Sequence, residues 1–134
     1  MFKQPCHSLN DIFIQAVQTW PDKTALICGQ EKWTYYELYL QVSRYTQIIT
    51  AYQGKVSTNG CIAIYGNKSL VSVAAILAVL LSGYAYMPID PYLPASRVDN
   101  ILHTSKTGLL LLTEASLFIK QQISRLVSKP LIID

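Results

Sequence analysis

A run without charged residues, from Ser69 to Ile89, constrains the fold of this chain more than any other feature of its sequence. An unbroken run of about 20 apolar residues would be long enough for a membrane-spanning helix. This run is divided at Ser82-Gly83, where the glycine is well placed as the left-handed residue that ends a helix. The segment after the break, Tyr84 to Ile89, is aromatic and contains a proline near its end. The run therefore predicts a buried helix of about 14 residues, too short to span a bilayer, followed by a strand.

The same alternation of strand and helix continues on both sides of this run. Strands with continuous apolar cores, separated by helices, indicate a parallel sheet that is covered by helices on both faces. The predicted fold class is therefore α/β, with a partial open parallel sheet. The strands are predicted at Cys61–Tyr65, Tyr84–Ile89, Gly108–Leu112 and Leu131–Ile133. Helices are predicted at 69–82 and 94–103, and a third helix is predicted to begin with Thr113 as its cap and to end at about Val127.

An N-terminal helix and a short β-hairpin precede this sheet. Ser8 and Asp11 have the spacing of a capping box, and the helix that follows places apolar residues on one face. Strands are predicted at Thr24–Cys28 and 33–35, and the four polar residues between them favour an antiparallel hairpin. The apolar positions of the helix are Leu9, Ile12, Phe13, Ala16, Val17 and Trp20, and the predicted hairpin turn is Gly29-Gln30-Glu31-Lys32.

Charge and cysteine content exclude several classes of protein. Only 14% of the residues are charged, against roughly 25% in a typical soluble domain, and the net charge is +3 with no basic run. A charge-rich nucleic-acid module is therefore excluded. Three cysteines without C-x-x-C spacing argue against a disulfide framework or a zinc site and favour a cytosolic location: Cys6, Cys28 and Cys61. The shortage of charge indicates either a membrane segment or a missing partner.

Candidate ligand-binding residues follow the predicted strands, because open α/β sheets bind ligands beyond the carboxyl ends of their strands. Asp90 is the sharpest of them, and its alternative interpretation is an Asx-turn acceptor that holds the loop Ile89-Asp90-Pro91 before the next helix. Asp99 and His103, four residues apart on a helix, have the spacing of two metal ligands but also of an ordinary intrahelical pair. The candidate segments are Gly66-Asn67-Lys68, Asp90-Pro91-Tyr92 and Thr113-Glu114, and the glycine-rich phosphate-loop and nucleophile-elbow motifs are not found.

Two segments, in the same order along the chain, resemble the first two core motifs of amino-acid adenylation domains in nonribosomal peptide synthetases. These domains are related to acyl-CoA synthetases and luciferases. The first segment is a helix start in which Thr34 and Glu37 form a capping box, and the second is a helix stop with a glycine cap, a core strand and a proline-fixed exit. We interpret both as scaffold. The matching positions are Thr34, Tyr35, Glu37 and Leu38 in the first segment, and Gly83, Ala85, Tyr86, Pro88, Asp90 and Pro91 in the second; Leu81 and Ser82 stand where Lys and Ala are common.

The resemblance implies an enzyme that uses ATP and Mg²⁺ to form an aminoacyl-adenylate. In this family the phosphate loop, the substrate pocket, the ribose-binding Asp and the catalytic Lys lie downstream of the matched region. Residues 1–134 are therefore expected to be a single partial domain, the N-terminal segment of the large subdomain. We expect no catalytic, cofactor-binding or metal-binding residue in this chain, and no activity from it alone.

Three functions remain open. The first is the N-terminal part of an adenylation domain, whose partner is the remainder of that domain or another synthetase module. The second is a non-catalytic interaction or structural module that associates with itself. The third, a flavodoxin-like nucleotide-binding domain, lacks a loop that would hold a phosphate. Either of the first two explains the low charge, because surfaces that belong in an interior are counted as exterior. We expect an apolar edge or face, near Leu131 to Ile133, and neither a nucleic acid nor a membrane as partner.

Overall fold

A computed structural model describes residues 8–56, 60–114 and 116–126, and the backbone of 131–133. Strands and helices alternate along most of the chain. The helices are α1 (Leu9–Thr19), α2 (Tyr35–Ala51), α3 (Leu70–Leu81), α4 (Ala95–Ser105) and α5 (Leu117–Ser124), and the strands are β1 (Thr24–Cys28), β2 (Glu31–Thr34), β3 (Cys61–Tyr65), β4 (Ala85–Ile89), β5 (Leu109–Leu112) and β6 (Leu131–Ile133). A short 3₁₀ turn at Gln53–Lys55 follows α2.

Strands β3 to β6 form a parallel sheet in the order β4-β3-β5-β6. Strand β3 lies between β4 and β5, with Ile64 beside Pro88 on one side and beside Leu111 on the other. Strands β1 and β2 form a separate antiparallel hairpin. The predicted α/β class, parallel sheet, N-terminal helix and hairpin are all confirmed.

The two faces of the parallel sheet are covered by different helices. Alternate residues of β3 and β5 point to opposite faces, because successive side chains of a strand alternate. Ile62 and Leu111 belong to a buried cluster with α1, α2 and α3, whereas Tyr65 and Leu110 belong to a second cluster with α4 and α5. Helices on both faces explain why β5 consists of four consecutive buried leucines.

The N-terminal elements follow their predicted local signals, with two corrections. Capping boxes begin α1 at Ser8 and α2 at Thr34. The hairpin turn is shorter than predicted, because Glu31 and Lys32 belong to β2 and pair with Cys28 and Ile27. These polar residues fit a strand because this end of the hairpin is exposed. On α1, Phe13 is buried, but three residues of its predicted apolar face are about half exposed: Leu9, Ile12 and Trp20.

Helix α3 ends at the predicted glycine. Gly83 has φ +84°, its N–H donates to the Leu80 carbonyl, and the Tyr84 N–H donates to the Val79 carbonyl. These two bonds are a Schellman motif, which satisfies carbonyls that a helix end would leave without partners. Within the described residues, we find no helix of the length and apolarity that a bilayer crossing requires.

Two further expectations need correction. Strand β4 is not a core strand: it lies at the sheet edge, with Tyr86 and Pro88 exposed. Proline suits such a position because it cannot donate to a neighbouring strand. Helix α5 begins after Ser116, whose side chain accepts from the Ile119 N–H, and not at Thr113. Strand β6 lies at the opposite edge from β4, but its side chains, on which we expected an apolar surface, lie outside the described residues.

Candidate functional site

The carboxyl ends of β3 and β4 form the sides of a cleft of about 620 Å³. Its walls come from the two loops that follow these strands, as expected for an open parallel sheet. Polar and charged groups lie at Asn67, Lys68 and Asp90, and the other walls are proline, isoleucine and aromatic surface. The lining residues are Gly66, Asn67, Lys68, Pro88, Ile89, Asp90, Pro91 and Tyr92.

Asp90 forms an Asx turn. Its Oδ1 accepts from the Tyr92 N–H at 2.9 Å, and its carbonyl accepts from the Leu93 N–H at 3.2 Å. The carboxylate therefore has a structural task in the loop that leads to α4, as the alternative interpretation of this residue predicted. Asp90 therefore lies in the cleft wall, but its carboxylate is hydrogen-bonded within the turn.

Tyr65, at the end of β3, holds the same loop from beneath. Its side chain is 1% exposed, and its hydroxyl donates to the Pro91 carbonyl at 3.5 Å. Burial, and to a smaller extent the nearby Asp90 carboxylate, raises the pKa of this phenol above 10.0. Sequence reasoning missed this residue, although a tyrosine that ends an otherwise apolar strand beside a polar loop is a usable signal.

A side-chain hydrogen bond joins the loops after β3 and β5. Glu114 Oε2 accepts from Asn67 Nδ2 at 2.7 Å and from the Asn67 N–H at 3.4 Å. The two loops approach so closely that a Cβ at Gly66 would collide with the Thr113 hydroxyl. The sequence marked both loops as candidates but could not predict that they bond to each other. The bond therefore ties the loop after β3 to the loop after β5.

An aromatic pair extends the cleft toward α5. The rings of Tyr92 and Phe118 lie 5.3 Å apart, tilted by 32°. Sequence reasoning could not predict this contact, because Tyr92 lies in the loop after β4 whereas Phe118 lies much later in the chain, in α5. The pair connects the loop after β4 with the start of α5.

The first motif lies away from the cleft lining. Thr34 Oγ1 accepts from the Glu37 N–H, and Glu37 Oε2 accepts from the Thr34 N–H at 2.8 Å, which confirms the predicted capping box. The Tyr35 N–H donates to the Lys23 carbonyl, and Leu38 is buried in the cluster with α1 and α3.

The second motif runs from the end of α3, along β4, into the cleft. Gly83 ends the helix, Ala85 and Tyr86 lie in the exposed part of β4, and Pro88 enters the cleft wall with Asp90 and Pro91. Of the ten motif positions, the structure thus brings three to the cleft. That both motifs serve the family as scaffold stays a prediction.

The second candidate pair does not join the cleft. Asp99 is half-buried and His103 is exposed on α4, and neither lines the cleft. Within residues 8–56, 60–114 and 116–126, no three metal-binding side chains lie together. Chemically, the described lining of the cleft offers one ammonium group, one side-chain amide, one carboxylate engaged in a turn, and apolar walls, an arrangement that suits binding.

Comparison with known proteins identifies the family. The family described as AMP-binding enzyme matches residues 13–134. The chain belongs to the AMP-binding enzyme family. Tyrocidine synthase 3 of Brevibacillus parabrevis is 41% identical over 98 residues, which are 72% of this chain and 1% of that protein. Tyrocidine synthase 1 of the same organism is 31% identical over 78% of this chain and 9% of its own length.

Solved structures agree with this AMP-binding fold. The nonribosomal peptide synthetase FmoA3, bound to α-methyl-L-serine-AMP, superposes with a TM-score of 0.80 at 24% identity, over 99% of this chain and 14% of its own. The N-terminal subdomain of Klebsiella oxytoca NpsA gives 0.75 at 21% identity, over 94% of this chain and 30% of its own. The matches confirm the predicted resemblance to the N-terminal portion of an adenylation domain. The chain spans 9% or less of the two tyrocidine synthases and at most 30% of the two solved structures.

Proposed function

We propose that this chain is the N-terminal part of an adenylation domain that activates an amino acid with ATP as its aminoacyl-adenylate in a peptide-synthetase system. The observation that carries the proposal is the AMP-binding family match over residues 13–134, together with relatives that are peptide synthetases. The odd number of cysteines suits reduced thiols in the cytosol. We expect the product to be a peptide of secondary metabolism.

We further propose that residues 1–134 need the rest of the domain for catalysis. The cleft supports this view, because Lys68 is the single cation among the described residues that line it and Asp90 is held by its own turn. Stabilising a triphosphate and its Mg²⁺ requires several converging donors and carboxylates. In the complete domain, ATP and Mg²⁺ would be bound by residues beyond those described here.

The test is ATP–pyrophosphate exchange with a panel of amino acids. Two proteins are compared: residues 1–134 alone, and the same residues fused to the segment that follows the matched stretch in tyrocidine synthase 3. We expect exchange above background, with a preference for one amino acid or a few related ones, from the fusion only. Exchange by the 134-residue chain alone would contradict its dependence on the remainder, and a silent, correctly folded fusion would contradict the adenylation proposal.

A second candidate is a non-catalytic module that associates through its apolar surface. Exposed large apolar side chains favour it, among them Ile27 at 65% and Leu117 at 72% exposure. Sedimentation of the chain at several concentrations tests this candidate. A monomer at every concentration would exclude self-association, whereas a stable dimer without pyrophosphate exchange in the fusion would favour it over adenylation.

A further inference from the structure

An apolar surface lies at the carboxyl edge of the parallel sheet, beside the cleft. Its members are Tyr92, Leu117 and Phe118, which are 68%, 72% and 41% exposed, and we refer to them as the edge patch. Tyr92 also lines the cleft, so the patch and the cleft form one continuous surface. Isolated exposed apolar residues are ordinary on soluble proteins, but a contiguous group beside a cleft marks a binding surface.

The edge patch is held in place before anything binds to it. The Tyr92 ring contacts the Phe118 ring, the Tyr92 N–H is bonded to Asp90, and the neighbouring Pro91 carbonyl is bonded to buried Tyr65. Pro91 further restricts the backbone of this loop. A surface that is already ordered loses little conformational entropy on binding, so it suits a permanent contact.

The strand directions indicate which part of a longer protein meets this patch. All four strands are parallel, so β6 ends at the same edge as β3, β4 and β5. In a longer relative, the polypeptide that follows β6 therefore leaves the sheet beside the edge patch. Nearly the whole of this chain superposes on NpsA and FmoA3, yet it covers only 30% and 14% of those chains. Those chains therefore contain much protein besides this fold.

We propose that the edge patch and the cleft are the surface on which the remainder of the adenylation domain docks. The occupant is the polypeptide that follows β6, and its contacting side chains are apolar, because the patch offers aromatic and aliphatic groups. This inference rests on the proposed function for the identity of the occupant. The location of the docking surface rests on the exposed residues and the strand directions alone.

The experiment uses the fusion described above, in two variants. Leu117→Glu places a carboxylate in the first turn of α5, where it is favoured by the helix dipole as long as the site faces water. Ile27→Thr is the matched control, because Ile27 is similarly exposed and its hairpin packs on the opposite face of the sheet. We expect Leu117→Glu to lower the Tm of the fusion by about 4 °C or more. We expect Ile27→Thr to leave it within about 1 °C.

A chemical measurement covers the case in which Leu117→Glu does not fold. Leu117→Cys and Ile27→Cys are introduced separately into the fusion after the native cysteines are replaced by serine, and maleimide labelling is timed with and without urea. We expect the folded fusion to protect Leu117→Cys by on the order of tenfold or more, and Ile27→Cys by much less. Equal labelling of the two, or an unchanged Tm with Leu117→Glu, would overturn the docking surface. Protection that depends on protein concentration would show a second copy as the occupant and would also overturn it.

Pyrophosphate exchange in the unsubstituted fusion separates the two proposals. A protected edge patch without exchange would retain the docking surface and reject adenylation. Pyrophosphate exchange without protection of Leu117→Cys from maleimide would support the adenylation proposal and reject the docking surface.

Discussion

At the scale of single residues, Tyr65 shows how one buried polar group can organise a loop. Its hydroxyl lies beneath the cleft wall and donates to the Pro91 carbonyl, while Asp90 next door holds the Tyr92 N–H. A phenolate could not make the first of these bonds, and it would face the Asp90 carboxylate. The loop that supplies half of the cleft therefore depends on a protonated Tyr65.

The ionisation of Tyr65 makes the stability of the protein depend on pH in the alkaline range. Burial first, and Asp90 second, raises the pKa of Tyr65 above 10.0, so the folded state holds this proton more tightly than the unfolded chain does. Its contribution to stability is complete below a pH of about 10 and is lost as the pH rises through the higher folded pKa. We expect Tyr65→Phe to cost about 1 kcal/mol at pH 8 through the lost hydrogen bond, and to unfold with a flatter pH dependence above pH 10.

Urea unfolding between pH 8 and 11 makes the comparison. Asp90→Asn is the control, because its side-chain oxygen can still accept from Tyr92 while the smaller, electrostatic cause is removed. Asp90→Asn should reduce only in part the fall in the free energy of unfolding at alkaline pH. Parallel curves for the wild type and Tyr65→Phe would show that this phenol is not responsible.

At the scale of elements, Gly83 decides how the charge-free run folds. Its positive φ allows α3 to close with two hydrogen bonds, after which the chain turns into β4. An unbroken helix over the same residues would have no Schellman motif and would carry β4 away from β3. Local signals of this kind, a glycine stop or a capping box, are readable from sequence because all their partners lie within a few residues.

Replacing Gly83 tests the conformational part of this account in isolation. No atom lies within 4 Å of where a Cβ would be placed, so Gly83→Ala introduces strain in the backbone but no collision. We expect the free energy of unfolding to fall by about 1 kcal/mol, as measured by urea titration. Gly54→Ala is the matched control, because it also has open space but no positive φ, and it should be neutral. An equal loss in the two variants would contradict the assigned role of Gly83.

Sequence patterns were weakest where an element depends on its neighbours in space. The sequence of β4 is typical of a core strand because Tyr86 and Met87 are apolar. In the part of the chain that the structure describes, however, β4 forms an edge of the sheet, and Tyr86 is 40% exposed. Thr113 has the composition of a helix cap, but its N–H and hydroxyl both bond to the Tyr65 carbonyl, so the helix begins later. A cap residue that is engaged by an adjacent strand cannot be recognised from local sequence.

At the scale of the whole molecule, strand order builds the candidate site. The position of β3 between β4 and β5 brings Asn67 against Glu114, which is 47 residues away in the chain. The alternation of strands and helices predicted the parallel sheet, and hence that loops would gather at one edge. It did not predict the order of the strands, so it could not predict which polar groups would meet.

The buried core lies on both faces of the parallel sheet, and substitutions in β5 test each face separately. Leu110 and Leu111 are adjacent on β5 and fully buried, but they face opposite clusters, one beneath α4 and α5 and the other beneath α2 and α3. If both helical layers pack as described, Leu110→Ala and Leu111→Ala should each lower the free energy of unfolding by about 2–5 kcal/mol in urea titrations. In a sheet covered on one face only, one of the two side chains would face water, and its replacement would cost under about 1 kcal/mol. The smaller valine substitutions at the same positions extend the comparison if either alanine variant fails to fold. A large cost at Leu111 with almost none at Leu110 would mean that α4 and α5 do not cover the second face of the sheet. The loop that carries Asp90 and Tyr92, which leads into α4, would then not be held as described.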